Sequence, residues 1–451
     1  MSPIRSLSWT LLAAGGFALI TASGTTYARQ PGKDDLPKAP PSISGFKDAP
    51  GDQKAKDAFF AFAKYNAEYI AHPKVYSIPQ EFIPPASKTG PVLTTDQLIA
   101  EMNTRILVPV PVSQVGPVGP DQADYIRELG LALDTELKNV IERSATPIVR
   151  VNAMRMLSAA CRSGATAHYP TVTALIVNPN TPPEVKYYAF QAAGNLLAAY
   201  DLNDYVSRKH SNKPKEVSDL IAALQNSITK PNAIVPAPAG GVALSPEQAD
   251  VVAFIRRQAV KALAQVRFAE KVPGGPELYP AFTLAQIAVS DPAIVPPPTE
   301  TEVAEAVIGL CNMLPPRGPD REPYSVAIAD AVATGITTFA TRRAAAPLDK
   351  SLAWRNYGSR LSDALKAWKP LYDPGFNPAK PTAFQAASVP KSVEDLATEA
   401  ERRVLAPMTE ATGTVDVNGL KQFRDNTLRG DKKWSLTPFA SNPKLALPKR
   451  N

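Results

Sequence analysis

From about residue 121 onward the chain repeats apolar residues with the period of an α-helix, in paired segments separated by polar, proline-marked turns. The pattern predicts helices over 121–143 and 146–161, 166–177 and 181–199, 214–229 and 245–268, 276–289 and 299–314, and 322–342 and 350–368. The second helices of the first four pairs share one register. Counted from a leading aliphatic residue, apolar side chains recur at offsets 4, 7, 8 and 11. They are Val149, Ala153, Met156, Leu157 and Ala160; Val185, Ala189, Ala192, Ala193 and Leu196; Ile255, Ala259, Ala262, Leu263 and Val266; and Val303, Val307, Leu310, Cys311 and Leu314. These offsets lie on one face of a helix, so each second helix should bury that face.

The helix starts are equally regular. Thr181, Ser245 and Thr299 each have Glu or Gln three residues later (Glu184, Gln248, Glu302), the arrangement in which side chains satisfy each other's orphan backbone donors. Thr146-Pro147, Thr181-Pro182 and Ser245-Pro246 place proline at the first helical position, where its missing N–H costs nothing. Val149 and Val185 stand 36 positions apart, a spacing typical of stacked helix pairs.

The run Asn178-Pro179-Asn180-Thr181-Pro182-Pro183-Glu184-Val185-Lys186, followed by Ala189, Ala193 and Leu196, resembles the inter-helix turn and second helix of the HEAT-repeat, armadillo-type family. Arg150, Lys186 and Arg256 match its basic residue after the leading aliphatic; the fourth copy departs, with Ala304 there. The later spacings, 70 from Val185 to Ile255 and 48 from there to Val303, depart as well and point to loop insertions. The resemblance covers residues 121–314 well and 322–368 weakly. It implies an all-α fold, a right-handed α-solenoid of about five antiparallel helix pairs with Pro-rich loops and extended termini. It also implies a long concave surface that holds partners by shape.

The flanks differ from the repeats. Residues 1–28 have a basic start at Arg5, an apolar run from Leu11 to Ile20 and small residues ending at Ala28, the layout of a secretory signal peptide cleaved near Ala28. That predicts export to the periplasm or beyond, with no transmembrane span after cleavage. Residues 29–50 read as a flexible Pro-rich spacer, and 51–120 as an N-terminal helical cap and Pro-rich connection. The cap helix, about Gln53 to Ile70, carries Phe59, Phe60, Phe62, Tyr65 and Tyr69 as a packing face; a shorter helix follows over Thr95 to Arg105. After the repeats at 121–368, residues 369–420 form an irregular segment with one helix, 392–406, capped by Ser392 with Asp395. Residues 421–451 form a basic tail, expected to be extended or partly disordered.

Composition adds two points. Apolar residues make up 44% and charged ones 20% of the 451 residues, as in a globular chain. The formal charge is +7, and the tail alone has eight basic residues against Asp425 and Asp431, so the rest of the chain is close to balanced. Cys161 and Cys311 lie several helices apart in the predicted stack and read as free, buried thiols.

The insertions repeat one another. Ala233-Ile234-Val235-Pro236-Ala237-Pro238 recurs 60 residues later as Ala293-Ile294-Val295-Pro296-Pro297-Pro298, and Val108-Pro109-Val110-Pro111 is a third Val-Pro-x-Pro. The plainer reading is that proline stiffens long loops. The functional reading is a polyproline edge that a partner could read. The tail likewise reads as a soluble basic end or, with Trp434 and Phe439, as a contact for an anionic polymer or membrane surface. The candidate partner contacts are therefore Val235, Pro236, Pro238, Val295, Pro296, Pro298, Lys432, Lys433 and Trp434.

No short catalytic motif is present. His72, His168 and His210 show no metal-ligand spacing, and the sequence lacks a nucleophile elbow, a phosphate-binding loop and a dinucleotide fingerprint. No cofactor or metal is expected. His168-Tyr169 reads as a surface or capping pair, and Glu300, Glu302 and Glu305 as acids offsetting a helix dipole. Arg429-Gly430-Asp431 is too short to carry specificity. The expectation is a non-catalytic scaffold or binding protein for a protein or anionic envelope polymer, with no nucleic acid. The alternative is a polysaccharide-active enzyme on an α/α toroid-like helical fold.

Overall fold

The computed structural model describes residues 36–37, 53–76, 93–107, 120–200, 215–235, 243–268, 279–316, 320–344, 352–372, 390–409, 414–430, 433–435 and 447–450. Residues 1–28, expected to be a signal peptide, nearly all of 29–50, expected to be a spacer, and Val108 to Pro111, Pro236, Pro238 and Lys432 lie outside them.

Among the described residues the regular structure is helical apart from a two-residue antiparallel ladder, β1 (Trp434–Ser435) on β2 (Lys449–Arg450), and a single parallel bridge between Phe268 and Leu314. The cap contributes α1 (Gln53–Ile70), the single turn α2 (Pro73–Tyr76) and α3 (Thr95–Leu107). Then come α4 (Pro120–Arg143), α5 (Pro147–Ala160), α6 (His168–Val177), α7 (Pro183–Ala199), α8 (Lys215–Thr229), α9 (Pro246–Leu263), α10 (Pro280–Ala288), α11 (Glu300–Asn312), α12 (Arg321–Ala344) and α13 (Leu352–Trp368). A continuous run follows, α14 (Lys391–Ala400) leading through a π-turn into α15 (Ala406–Thr409), and α16 (Val417–Phe423) ends in a second π-turn.

Packing sorts the helices into two rows. In one, α4, α6, α8, α10, α12 and α14 each pack on the next; in the other, α5, α7, α9, α11, α13 and α15 do the same. The rows are joined through α4 with α5, α6 with α7, α8 with α9, and α10 with α11. The joint then shifts, because α12 packs on α11 rather than chiefly on the helix that follows it. At the start, α1 lies on α4 and α3 on α5.

The shared register is the reason the second row packs. Every residue at offsets 0, 4, 7, 8 and 11 is buried except Leu314, which is half-buried and pairs through its N–H with the Arg267 carbonyl at 2.9 Å. Small residues set the spacing. A Cβ on Gly309 in α11 would stand 2.7 Å from both Ala264 Cβ and Leu284 Cδ1, so only glycine permits this approach. Cys161 and Cys311 are free and buried, and burial pushes both thiols well up from their ordinary value.

Several local expectations change. The capping boxes at Ser245/Gln248 and Thr299/Glu302 form, but Thr181 and Glu184 do not make one: α7 begins a residue later, behind Pro182, and Thr181 is buried. The proline pair Pro182-Pro183 fixes two successive φ angles and moves the start. Thr94 and Gln97 form a further reciprocal pair before α3. Ser392 lies inside α14, whose first turn follows Pro390, and its hydroxyl faces Ser325. On α1, Phe59, Phe62 and Tyr69 pack inward while Phe60 faces out.

The tail is the largest departure. Residues 417–428 are helical and pack on α12. Arg429 reaches the fully buried Asp330 at 2.6 and 3.3 Å, Arg424 donates to Thr334 at 3.2 Å, and Lys433 pairs with Glu322. Charge counting registered these arginines as excess. In the fold Arg429 neutralises Asp330 of α12, whereas Arg424 pairs with Asp425 of its own segment.

Candidate functional site

The inward register leaves offsets −1, 2, 3 and 6 of the second helices on the opposite face. On α5 these are Ile148, Val151, Asn152 and Arg155; on α7, Glu184, Tyr187, Tyr188 and Gln191; on α9, Phe254, Arg257, Gln258 and Lys261. Because α5, α7 and α9 pack in order, those side chains form one continuous row.

The row is built of stacked rings closed at each end by a guanidinium. Arg155 lies 6.0 Å from the Tyr188 centroid; Tyr188 meets Tyr187 edge to face at 5.1 Å; Tyr187 stacks on Phe254 at 5.1 Å with 9° between planes; and Arg257 lies 5.4 Å over Phe254. Gln258 Nε2 donates to Tyr187 Oη at 3.0 Å and fixes its ring. Arg155 is itself held by Asp96 of α3 and by Asn152. Phe254 remains 50% exposed and Ile148 45%, although both sit on helices otherwise packed into the core. Such aromatic and cation–ring contacts are worth about 0.5–1.5 kcal/mol each, enough to hold the rings in place without burying them.

Beyond Arg257 the row continues into a charged cluster on α11 and α13. Glu305 is 3% exposed. It accepts from Arg360 at 2.9 and 2.8 Å and from Tyr357 Oη at 3.1 Å, with Lys261 Nζ at 3.6 Å. Burial alone would push its carboxyl up, but the Arg360 hydrogen bonds and charge, Lys261 and Tyr357 together bring it below the ordinary glutamate value. Burial and then the Glu305 charge push the Tyr357 hydroxyl up, so it stays protonated. A carboxylate saturated by this many donors is a weak base, and the cluster fixes charge rather than moving protons. Arg257 adds a third cation, and its buried Nε has no hydrogen-bond partner among the described residues.

The other predicted contacts fall elsewhere. Val235 is buried, Val295 is 53% exposed, Pro296 is half-buried and Pro298 buried. Both Ala-Ile-Val loops are tied down by the basic residue that follows the leading aliphatic of an earlier second helix. Lys186, itself buried, donates to the Ala233 carbonyl. Arg256 donates to the Pro296 carbonyl at 2.8 Å while holding Glu302 at 2.6 and 3.1 Å. Arg342 fastens the Pro298 carbonyl at 2.6 Å. Ile234 and Ile294 insert into the core. In their described parts the two loops are fastened by Lys186, Arg256 and Arg342 and make none of the ring contacts of the aromatic row, and Lys433 pairs with Glu322 on α12.

His168 is also re-placed. It is fully buried, with Nδ1 3.1 Å from Asp134, whose other oxygen accepts from Thr171 at 2.7 Å. It is an internal tie between α4 and α6 rather than a surface or capping residue. Among the described residues no group of His, Cys, Asp or Glu is arranged to hold a metal ion, and no helix is long and apolar enough to cross a membrane. No protein-family model and no curated protein matches the chain.

Proposed function

We propose that this is an exported, non-catalytic binding protein: a HEAT-like α-solenoid that presents the outward face of its second helices to a protein or envelope-polymer partner. The observation that carries the proposal is the row from Arg155 through Tyr188, Tyr187 and Phe254 to Arg257, held in fixed geometry with Phe254 half exposed. Large exposed aromatics ordered in advance lose little entropy on binding, the usual property of contact residues that dominate affinity. The ordered packing of two helix rows supports the open-solenoid reading. Among the described residues α1 packs chiefly on α4 and α3 on α5, as the first helices of an open stack would.

The test is retention of envelope components on immobilised full-length protein, on a Phe254→Ala/Arg257→Ala variant and on a Lys432→Ala/Lys433→Ala variant, which leaves the Arg429–Asp330 pair in place. A component held by the wild type and lost from the Phe254→Ala/Arg257→Ala variant supports the reading. Retention unchanged by that variant, or no retention by any form, contradicts it.

A further inference from the structure

We infer that residues 414–430 form a latch, which lifts from α12 as a unit while the helix stack stays folded, and that the contact closing it is the pair Arg429–Asp330. The seat is a stripe along α12. Glu322, Val326, Asp330 and Thr334 recur every four residues and so lie along one side of that helix. Lys433 pairs with Glu322, Arg429 with Asp330, and Arg424 donates to Thr334 at 3.2 Å. As the terminal chain advances from Arg424 to Lys433, its partners step back from Thr334 to Glu322. That order fixes a single antiparallel register.

The attachment is narrow and mostly charged. The main neighbours of α16 and the π-turn after it are α12, α14 and the π-turn of α14, with no helix of the second row among them. Leu420 and Leu428 are the buried apolar anchors, while Val415, Val417 and Phe423 are half-buried. Arg403 takes Asp416 at 2.6 Å, with both side chains partly in water. The other side of α12 does not depend on the segment: Ile328, Val332, Ile336 and Phe339 are fully buried, and α12 packs on α10 and α11. Stripping the segment away therefore leaves α12 supported.

Asp330 makes the closure all-or-none. It is fully buried, and among the described residues both its hydrogen bonds come from Arg429, at 2.6 and 3.3 Å. With Arg429 withdrawn and the segment still seated, the carboxylate would be buried and unpaired, the costliest arrangement. Losing this pair lifts the segment instead, because lifting returns Asp330 to water and bares an acidic stripe along α12. The Arg429 side chain is 27% exposed, so dissolved ions reach it and weaken the pair.

The experiment follows amide hydrogen exchange in the full-length protein at low and at high salt. In the wild type, residues 417–428 should exchange faster than α5, α7 and α9, and added salt should speed them while leaving those helices unchanged. Arg429→Ala should speed 417–428 by at least about tenfold, again with the stack unchanged. Adding Asp330→Asn to Arg429→Ala should restore most of the protection, since an unpaired amide is far cheaper to bury than an unpaired charge. Wild-type exchange of 417–428 at the rate of the stack helices at both salt concentrations would overturn the latch. So would a loss of protection in Arg429→Ala that spreads through the stack, or an Arg429→Ala/Asp330→Asn variant that exchanges as fast as Arg429→Ala.

Discussion

On α7, Val185, Ala189 and Leu196 turn into the core while Tyr187 and Tyr188, on the other side of the same helix, stay half-exposed. On α9 the shared register gives Ile255, Ala259 and Leu263 inside, and Phe254, Arg257 and Lys261 outside. The inner face is nearly interchangeable from copy to copy, because any aliphatic of suitable volume fills the inter-helix space. The outer face is not: offset −1 reads Ile148, Glu184, Phe254 and Glu302 in turn. Repetition on one side makes the stack, and its absence on the other gives a particular surface.

The fourth copy breaks this division and offers the strongest way to probe it. Glu302, at an outward offset, is fully buried and paired with Arg256, because the Ala293 to Pro298 loop folds over both. Removing one partner leaves a buried uncompensated charge. Glu302→Ala should therefore cost about 3–5 kcal/mol in a thermal or denaturant melt. A loss below about 1 kcal/mol would mean that the outward rule holds there after all.

Gly309→Val should come next, at about 1–3 kcal/mol, because the added atoms meet Ala264 and Leu284 at distances no side chain tolerates. Glu305→Gln should act through pH. The wild-type carboxyl is held below its unfolded value, so its contribution is present above the ordinary glutamate range and is lost as pH falls through the lower folded value. The variant's melting temperature should accordingly change less than the wild type's on acidification through that window. Smallest of all should be Phe254→Ala. With half its surface in water, its stability cost should stay near or below about 1 kcal/mol while binding falls. A large stability loss would make Phe254 a core residue and remove it from the surface.

The helical class and the inner face were legible because both rest on periodicity, which burial enforces at every turn. The aromatic row lay in the same register and could have been found by reading offsets 2, 3 and 6 across copies. What concealed it is that Tyr187 and Phe254 sit 67 positions apart and meet only once α7 packs on α9. The proline loops misled for a related reason. Proline density signals an extended segment but says nothing about which carbonyls it offers, and Lys186 and Arg256 take those carbonyls from a previous helix pair. Charge counting similarly marked Arg424 and Arg429 as excess, because Asp330 stands about a hundred residues away in the chain and beside Arg429 in the fold.

The account's central claim is that the contact surface is the outward row, not the proline edge or the basic tail. It is tested most directly by measuring the affinity of four full-length proteins for the same retained envelope component: wild type, Phe254→Ala/Arg257→Ala, Val295→Ala/Pro296→Ala and Lys432→Ala/Lys433→Ala. The row predicts that the first variant loses at least about tenfold in affinity, a change of about 1.4 kcal/mol, while the other two stay within about twofold of wild type. Loss confined to the Val295/Pro296 or Lys432/Lys433 variant, with the row variant unchanged, would contradict it.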